Sequence, residues 1–216
     1  MTATPLVLPD DAATQLAPFI GLSLADIMVV ATLDDAQFAS AELLQHTAVG
    51  FDTESRPVFH RHQSSDGPHV VQFATPHKAY IFQTRLSVCH AAISTVLASR
   101  TTAKVGFGLA NDMTYISRKF GVTPRAVIDL NNKFHTLGYK NCVGARTAIA
   151  LLFQQRFTKS KRITTSNWSV STLTQKQVLY AANDAYAALQ VYRALAQPQH
   201  RRRLSRAADY ATISKV

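Results

Sequence analysis

Thr47-Ala48-Val49-Gly50-Phe51-Asp52-Thr53-Glu54 is an apolar run that closes on two carboxylates spaced one residue apart. Residues i and i+2 share one face of a strand. A strand here therefore projects Asp52 and Glu54 together and turns Phe51 and Thr53 to the other side. Two adjacent carboxylates on a buried strand repel each other strongly unless a cation lies between them. The competing reading is a strand end running out into solvated polar residues, and this stretch alone does not choose between the two.

Working outward, Ile27 to Ala31 reads as a short first strand. Leu33 to Gln45 has helical spacing through Phe38, Leu43 and Leu44, with Asp34 or Asp35 near its N-terminal end. Downstream, Val70 to Ala74 and Ala79 to Gln83 read as strands joined at Thr75–Lys78, where Pro76 marks the turn. With the 47–54 stretch they make an antiparallel meander of three strands. The polar connector before His69 contains Ser64-Ser65-Asp66-Gly67-Pro68 and reads as an exposed hairpin loop.

The pattern then changes to alternation. Helix is expected over Val88–Ala98, strand over Lys104–Phe107, helix over Asp112–Phe120 and strand over Ala126–Leu130. Two strong helices follow, over Arg146–Phe157 and Thr174–Ala196. This order predicts an α/β fold: a mixed sheet of three antiparallel strands then parallel strands, flanked by helices on both faces. Residues 1–24, with Pro5, Pro9 and Pro18, read as a loosely attached leader. Residues 25–197 form the main domain and residues 198–216 a basic tail.

At 216 residues, 47% hydrophobic and 17% charged, the chain is expected to fold as one ordinary globular domain. It contains no apolar run of membrane-spanning length and no signal-peptide pattern, so a cytoplasmic location and no membrane partner are expected. Cys89 and Cys142 lack metal-like spacing and read as reduced. The net charge of +10 favours a polyanionic partner, nucleic acid above all. Part of that charge is clustered in Lys159, Lys161 and Arg162, and part in Arg201, Arg202, Arg203 and Arg206.

Two further acidic motifs follow the first. In Val105-Gly106-Phe107-Gly108-Leu109-Ala110-Asn111-Asp112 a short strand ends in a glycine turn, and Asp112 falls at or near the start of the next helix. An ordinary helix-start Asp is the commoner reading of such a residue. A dinucleotide-binding reading of the G-x-G fails for want of the third glycine and the βαβ context. In Tyr180-Ala181-Ala182-Asn183-Asp184-Ala185-Tyr186, Tyr180 and Asp184 are four apart and share a helix face. The surrounding alanines let that helix approach the sheet closely. An Asp among them is costly unless paired or ligating.

Taken in order, these three motifs resemble those of the DEDDy branch of the DnaQ-like (RNase H-like) 3′–5′ exonucleases. The resemblance is closer to the Werner-helicase type of exonuclease domain and its standalone relatives than to ribonuclease D. Ser166-Asn167-Trp168-Ser169, Leu173-Thr174 and the Tyr180 to Ala187 stretch look like the family's third motif with its lead-in. Val71-Gln72-Phe73 resembles the strand after its first. Ser55, before Arg56-Pro57, departs from the bulky residue many relatives carry and bears only on substrate contact.

The resemblance implies an RNase H-like sheet and two divalent metal ions, Mg²⁺ or Mn²⁺, held by Asp52, Glu54, Asp112 and Asp184, with Asp52 bridging both. It implies that Tyr180 stands beside the attacking water. Its hydroxyl, with an ordinary pKa of about 10, orients that water rather than acting as a base. The partner is then nucleic acid with a free 3′ end, DNA favoured, cleaved to nucleoside 5′-monophosphates. A ribonuclease D-type RNA exonuclease and a non-catalytic nucleic-acid-binding module on the same fold are the alternatives. Self-association is not readable.

Thr53, Phe107, Leu109 and Asn111 are implied to meet the terminal nucleotides, and Lys159, Lys161 and Arg162 the phosphates. Core packing for Phe107 and Leu109, and a solvated loop for the three cations, compete on equal terms. Trp168 reads as packing beneath the last helix rather than as a base-stacking surface. Asp129 reads as a cap or ion-pair partner. His60, His62 and His69 lack the fourth ligand of a zinc site.

Overall fold

The computed structural model describes residues 15–57, 66–202 and 204–205. In chain order the elements are β1 (Ala17–Pro18), β2 (Ile27–Val30), α1 (Leu33–Leu44), β3 (Ala48–Glu54), β4 (Val70–Ala74) and β5 (Ala79–Gln83). They continue with α2 (His90–Ala98), β6 (Ala103–Gly106), α3 (Ala110–Phe120), β7 (Val127–Asp129) and α4 (Leu130–Thr136). The last are α5 (Ala145–Phe153), β8 (Gln155–Arg156), the single turn α6 (Lys161–Thr164) and the long α7 (Gln175–Ala196).

The main sheet has the order β2-β5-β4-β3-β6-β7. β3, β4 and β5 form the expected antiparallel meander. β2 joins one edge in parallel with β5, and β6 and β7 extend the other in parallel with β3. Alternation along the strands decides what lies on each face. Val49, Phe51, Val71, Phe73, Tyr80 and Phe82 pack with Ala39 and Leu43 of α1 and Ile93 and Leu97 of α2. On the reverse, Val70, Ala74, Ala79 and Ile81 meet Val178, Ala181, Ala182 and Ala185 of α7.

Contact across that second face is at backbone range. A Cβ at Gly50 would lie 1.9 Å from the Ala185 carbonyl oxygen. A glycine on the strand and alanines on the helix let α7 lie directly against β3. That closeness brings a side chain of α7 level with the carboxylates at the strand's end.

Several expectations are corrected. Residues 15–24, expected to be loosely attached, are tied down. β1 pairs in parallel with β8, and Phe19 packs edge-on to Phe157 at 5.5 Å. The Leu22 N–H donates to Asn183 Oδ1 at 2.7 Å, while Asn183 Nδ2 donates back to the Leu22 carbonyl. The helix expected to reach Phe157 stops at Phe153, because Gln154 turns left-handed (φ 54°) and Gln155–Arg156 extend to receive β1. α4 was not expected. Its sequence is mostly polar, but Leu130 and Phe134, four apart, give it one buried edge.

Asp66, Gly67 and Pro68 of the expected hairpin loop are described, whereas Ser64, Ser65, His60 and His62 lie outside the described residues, as do Arg203 and Arg206 of the tail. Both cysteines are free, Cys89 buried and Cys142 exposed. Among the described residues no helix is long and apolar enough to cross a membrane.

Candidate active site

The C-terminal end of β3 sits at the centre of the sheet, between an antiparallel and a parallel neighbour. Asp52 and Glu54 emerge there on the α7 face, and Asp184 descends from α7 to meet them. Oxygens of these three carboxylates lie within 4.8 Å of one another. Asp184 is only 4% exposed, and its Oδ2 lies 2.7 Å from the Lys159 ammonium.

This convergence is electrostatically unfavourable without a cation. Burial, then the Asp184 charge, pushes Asp52 up to about 8. Burial, then Asp52 and Asp184, pushes Glu54 up to about 9. Burial also raises Asp184, against the opposing pull of Lys159. Hard oxygen donors, close together and buried, suit a divalent ion of the Mg²⁺ or Mn²⁺ kind. The residues present therefore fit the metal that the fold implies.

Asp112 does not join that trio. It sits in the first turn of α3 and accepts a hydrogen bond from the Thr53 hydroxyl. Its charge still reaches both β3 carboxylates and helps to raise them. Thr53 thus serves two neighbours, since its own N–H donates to Asp52 Oδ1 at 2.9 Å. The turn delivering Asp112 is fixed by Asp129. That side chain accepts from the N–H groups of Gly108 (3.0 Å), Leu109 (2.9 Å) and Asn131 (2.9 Å), capping α4 in the same act. Gly108 has φ +68°, a conformation that costs glycine little.

One turn before Asp184, Tyr180 lies on the same face of α7. Its hydroxyl is 2.8 Å from the Thr164 hydroxyl, and its ring lies 5.9 Å from that of Trp168. Burial, then the Asp184 charge, raises its pKa, so the phenol remains protonated across neutral pH. Trp168 is fully buried and donates from Nε1 to the Thr164 carbonyl, the packing role expected of it.

The substrate-facing expectations divide. Thr53 is at the site, and Asn111 is exposed one residue before Asp112. Leu109 is 1% exposed and belongs to the core, so its expected contact with nucleotides is corrected to packing. Phe107 is half-buried against a core cluster that includes Val105, Leu130 and Phe134. Lys161 and Arg162 are exposed on α6. Lys159 is not free for phosphate here: its ammonium lies 2.7 Å from Asp184 Oδ2 and 5.8 Å from the Tyr180 ring centroid. Burial works against that ammonium, but Asp184 and Asp52 outweigh it and raise its pKa.

Thr164 and Asn183 were not singled out as supports of the site, and Asp129, read from sequence as a cap, also holds the Gly108–Leu109 turn. Each acts through hydrogen bonds to segments distant in sequence, which no local pattern announces. A groove of about 1280 Å³ adjoins the site, running from Asp184 and Tyr180 between Pro18–Leu22 and the 156–167 segment. Arg156, Arg162 and Lys176 line it, and among the described residues Asp184 is its only acidic lining residue.

A family model described as 3′–5′ exonuclease matches residues 27–198. The bifunctional 3′–5′ exonuclease/ATP-dependent helicase WRN of Mus musculus is 28% identical over 158 residues, covering 72% of this chain and 11% of that protein. The Nibbler EXO domain of Aedes aegypti shares the fold with a TM-score of 0.72 at 20% identity, covering 89% of this chain and 99% of that one. Trypanosoma brucei RNase D, solved in complex with RNA U12, gives 0.70 at 17% identity, covering 93% and 72%.

Proposed function

This chain belongs to the 3′–5′ exonuclease family, and from that premise we propose that it removes nucleotides one at a time from a free 3′ end by a two-metal mechanism. The observation that carries the reading is the convergence of Asp52, Glu54 and Asp184 within 4.8 Å, with Tyr180 one turn from Asp184. Glu54 and Asp184 would hold one divalent ion, Asp112 the other, and Asp52 both. When bound, such ions neutralise the phosphate and lower the pKa of water.

The chain's own groups do the rest. Tyr180, kept protonated and steadied by Thr164, orients the attacking water through its hydroxyl. Thr53 holds Asp52 and Asp112 in mutual register. Asn111 and Phe107 stand beside the second motif, where the terminal nucleotide is held. Lys159, Lys161 and Arg162 take the phosphates. Lys159 reaches them only by leaving Asp184.

DNA is the favoured substrate, on the resemblance of the three acidic motifs to Werner-type exonuclease domains. The fold shared with an RNase D solved with RNA supports RNA as the second reading. Matched DNA and RNA strands labelled at the 5′ end, incubated with Mg²⁺, Mn²⁺ or EDTA, test both. The expected result is a metal-dependent ladder shortening from the 3′ end, faster on DNA. Intact strands of both kinds with either metal would overturn the proposal, and faster shortening of RNA would reverse the substrate order.

A further inference from the structure

Gln72 is the one polar side chain among the even-numbered residues of β4, which face α7. It is fully buried, and neither its Oε1 nor its Nε2 has a hydrogen-bond partner. Leaving both ends of a buried amide unpaired is costly, and an apolar residue of similar shape would avoid the cost. Its surroundings show what it is placed to meet. Along its own strand lie Val70 and Ala74; directly across on β5 lies Ile81, and over them lie the alanines of α7. The remaining cross-strand neighbour, directly opposite on β3, is Asp52.

Directly paired residues of antiparallel strands carry their Cβ atoms about 4.5–5.5 Å apart, within reach of a Gln amide. One Asp52 oxygen, Oδ1, already accepts from the Thr53 N–H. Resting on the exonuclease reading above, we propose that Gln72 is a positioning residue for Asp52. Its Nε2–H donates to the other carboxylate oxygen when a divalent ion draws that carboxylate into its ligating orientation. Carboxylate ligands are commonly oriented by such outer hydrogen bonds, and their loss weakens metal affinity.

Gln72→Met keeps the volume and removes the amide, and it separates this role from simple packing. Without metal, the variant is expected to melt about 2–4 °C higher, because two unpaired buried groups are gone. Its Mn²⁺ affinity, measured by electron paramagnetic resonance, should fall about tenfold, with a comparable loss in kcat and an unchanged KM for the strand. Wild-type Mn²⁺ affinity and kcat in the variant would overturn the proposal. So would a lower melting temperature that falls together with metal affinity, since a packing role predicts that outcome. Gln72→Asn retains a buried amide but shortens its reach, so it should lose Mn²⁺ affinity without the gain in melting temperature. It carries the test if the Met variant does not fold. A wild-type protein that binds no Mn²⁺ counts against the exonuclease reading itself and is recognised before any variant is made.

Discussion

Lys159 and Asp184 form an ion pair within the carboxylate cluster. The Lys159 ammonium lies 2.7 Å from Asp184 Oδ2, so it competes with any metal ion that this carboxylate would hold. Removing it is expected to act in two directions. Lys159→Met leaves the carboxylates less compensated, so the metal-free protein loses stability. The same change removes a competitor, so Mn²⁺ binds on the order of tenfold more tightly. Titration by electron paramagnetic resonance alongside a melting curve in EDTA reads both, and weaker Mn²⁺ binding would count against this role of Lys159. Asp184→Asn provides the complementary case. It relieves repulsion in the metal-free protein yet removes a ligand, so the melting temperature in EDTA should rise while the 3′-shortening ladder disappears. A persistent ladder would show that Asp184 is dispensable.

Elements, rather than single residues, bring those side chains together, and the Gly50–Ala185 approach is the tightest joint. Gly50→Ala places a methyl carbon against a backbone carbonyl that cannot rotate away. Denaturant unfolding should show a loss of about 3 kcal/mol or more, and wild-type stability would mean that α7 rides higher on the sheet than described. Asp129→Ala should cost about 1.5–3 kcal/mol, since three backbone N–H groups lose a charged acceptor. It should also lower activity, because the turn delivering Asp112 is no longer fixed.

The sequence announced β3, β4, β5 and α7 well, because short apolar runs bounded by turn residues in the first three and an alanine-rich helical period in the last are local properties. It also placed Asp52, Glu54, Tyr180 and Asp184 on shared faces before any contact was known. It did not announce the pairing of β1 with β8, nor the Leu22–Asn183 clasp. Those depend on backbone hydrogen bonds between segments more than a hundred residues apart, and Pro18 in such a strand argues locally for a loose end. For Leu109 substrate contact and core packing stood level for a related reason: its motif neighbours face the site, but its own side chain turns into the core.

At the scale of the whole molecule, the buried carboxylates link stability to pH with a definite sign. In the metal-free protein Asp52 and Glu54 hold their protons up to about 8 and about 9, whereas the unfolded chain releases them near 3.8 and 4.5. The folded state therefore binds more protons through that interval, and its stability falls as pH rises. His69 and Lys104 act with the opposite sign. Burial lowers His69 below its usual 6.5, so its contribution is complete by about that pH. Burial lowers Lys104 to about 8, so its contribution grows only above that value. Between pH 6.5 and 8 the carboxylates act with least interference, and melting temperatures in EDTA should decline across this window. Because the ligands must be deprotonated, added Mg²⁺ should raise the melting temperature by an amount that increases with pH. A metal-free melting temperature that climbs from pH 6.5 to 8 would contradict the assignment of a buried, mutually repelling cluster.

The distribution of charge over the molecule gives a separate test, which leaves the carboxylates untouched. The groove beside Tyr180 carries Arg162 and Lys176, both exposed and in no ion pair among the described residues, within a chain of net charge +10. If a nucleic-acid strand runs along that groove, each phosphate contact contributes about 0.7 to the salt dependence of binding a single strand. Arg162→Glu with Lys176→Glu should then raise KM for strands long enough to fill the groove and flatten the plot of log affinity against log salt by roughly 1.4. Cleavage of a dinucleotide, too short to reach the groove, should keep its wild-type rate, because neither side chain contacts the carboxylates or Tyr180. Equal losses on long and short substrates would place the defect in the catalytic cluster instead. An unchanged salt slope would mean that the strand approaches Asp52 and Asp184 from another side of the sheet.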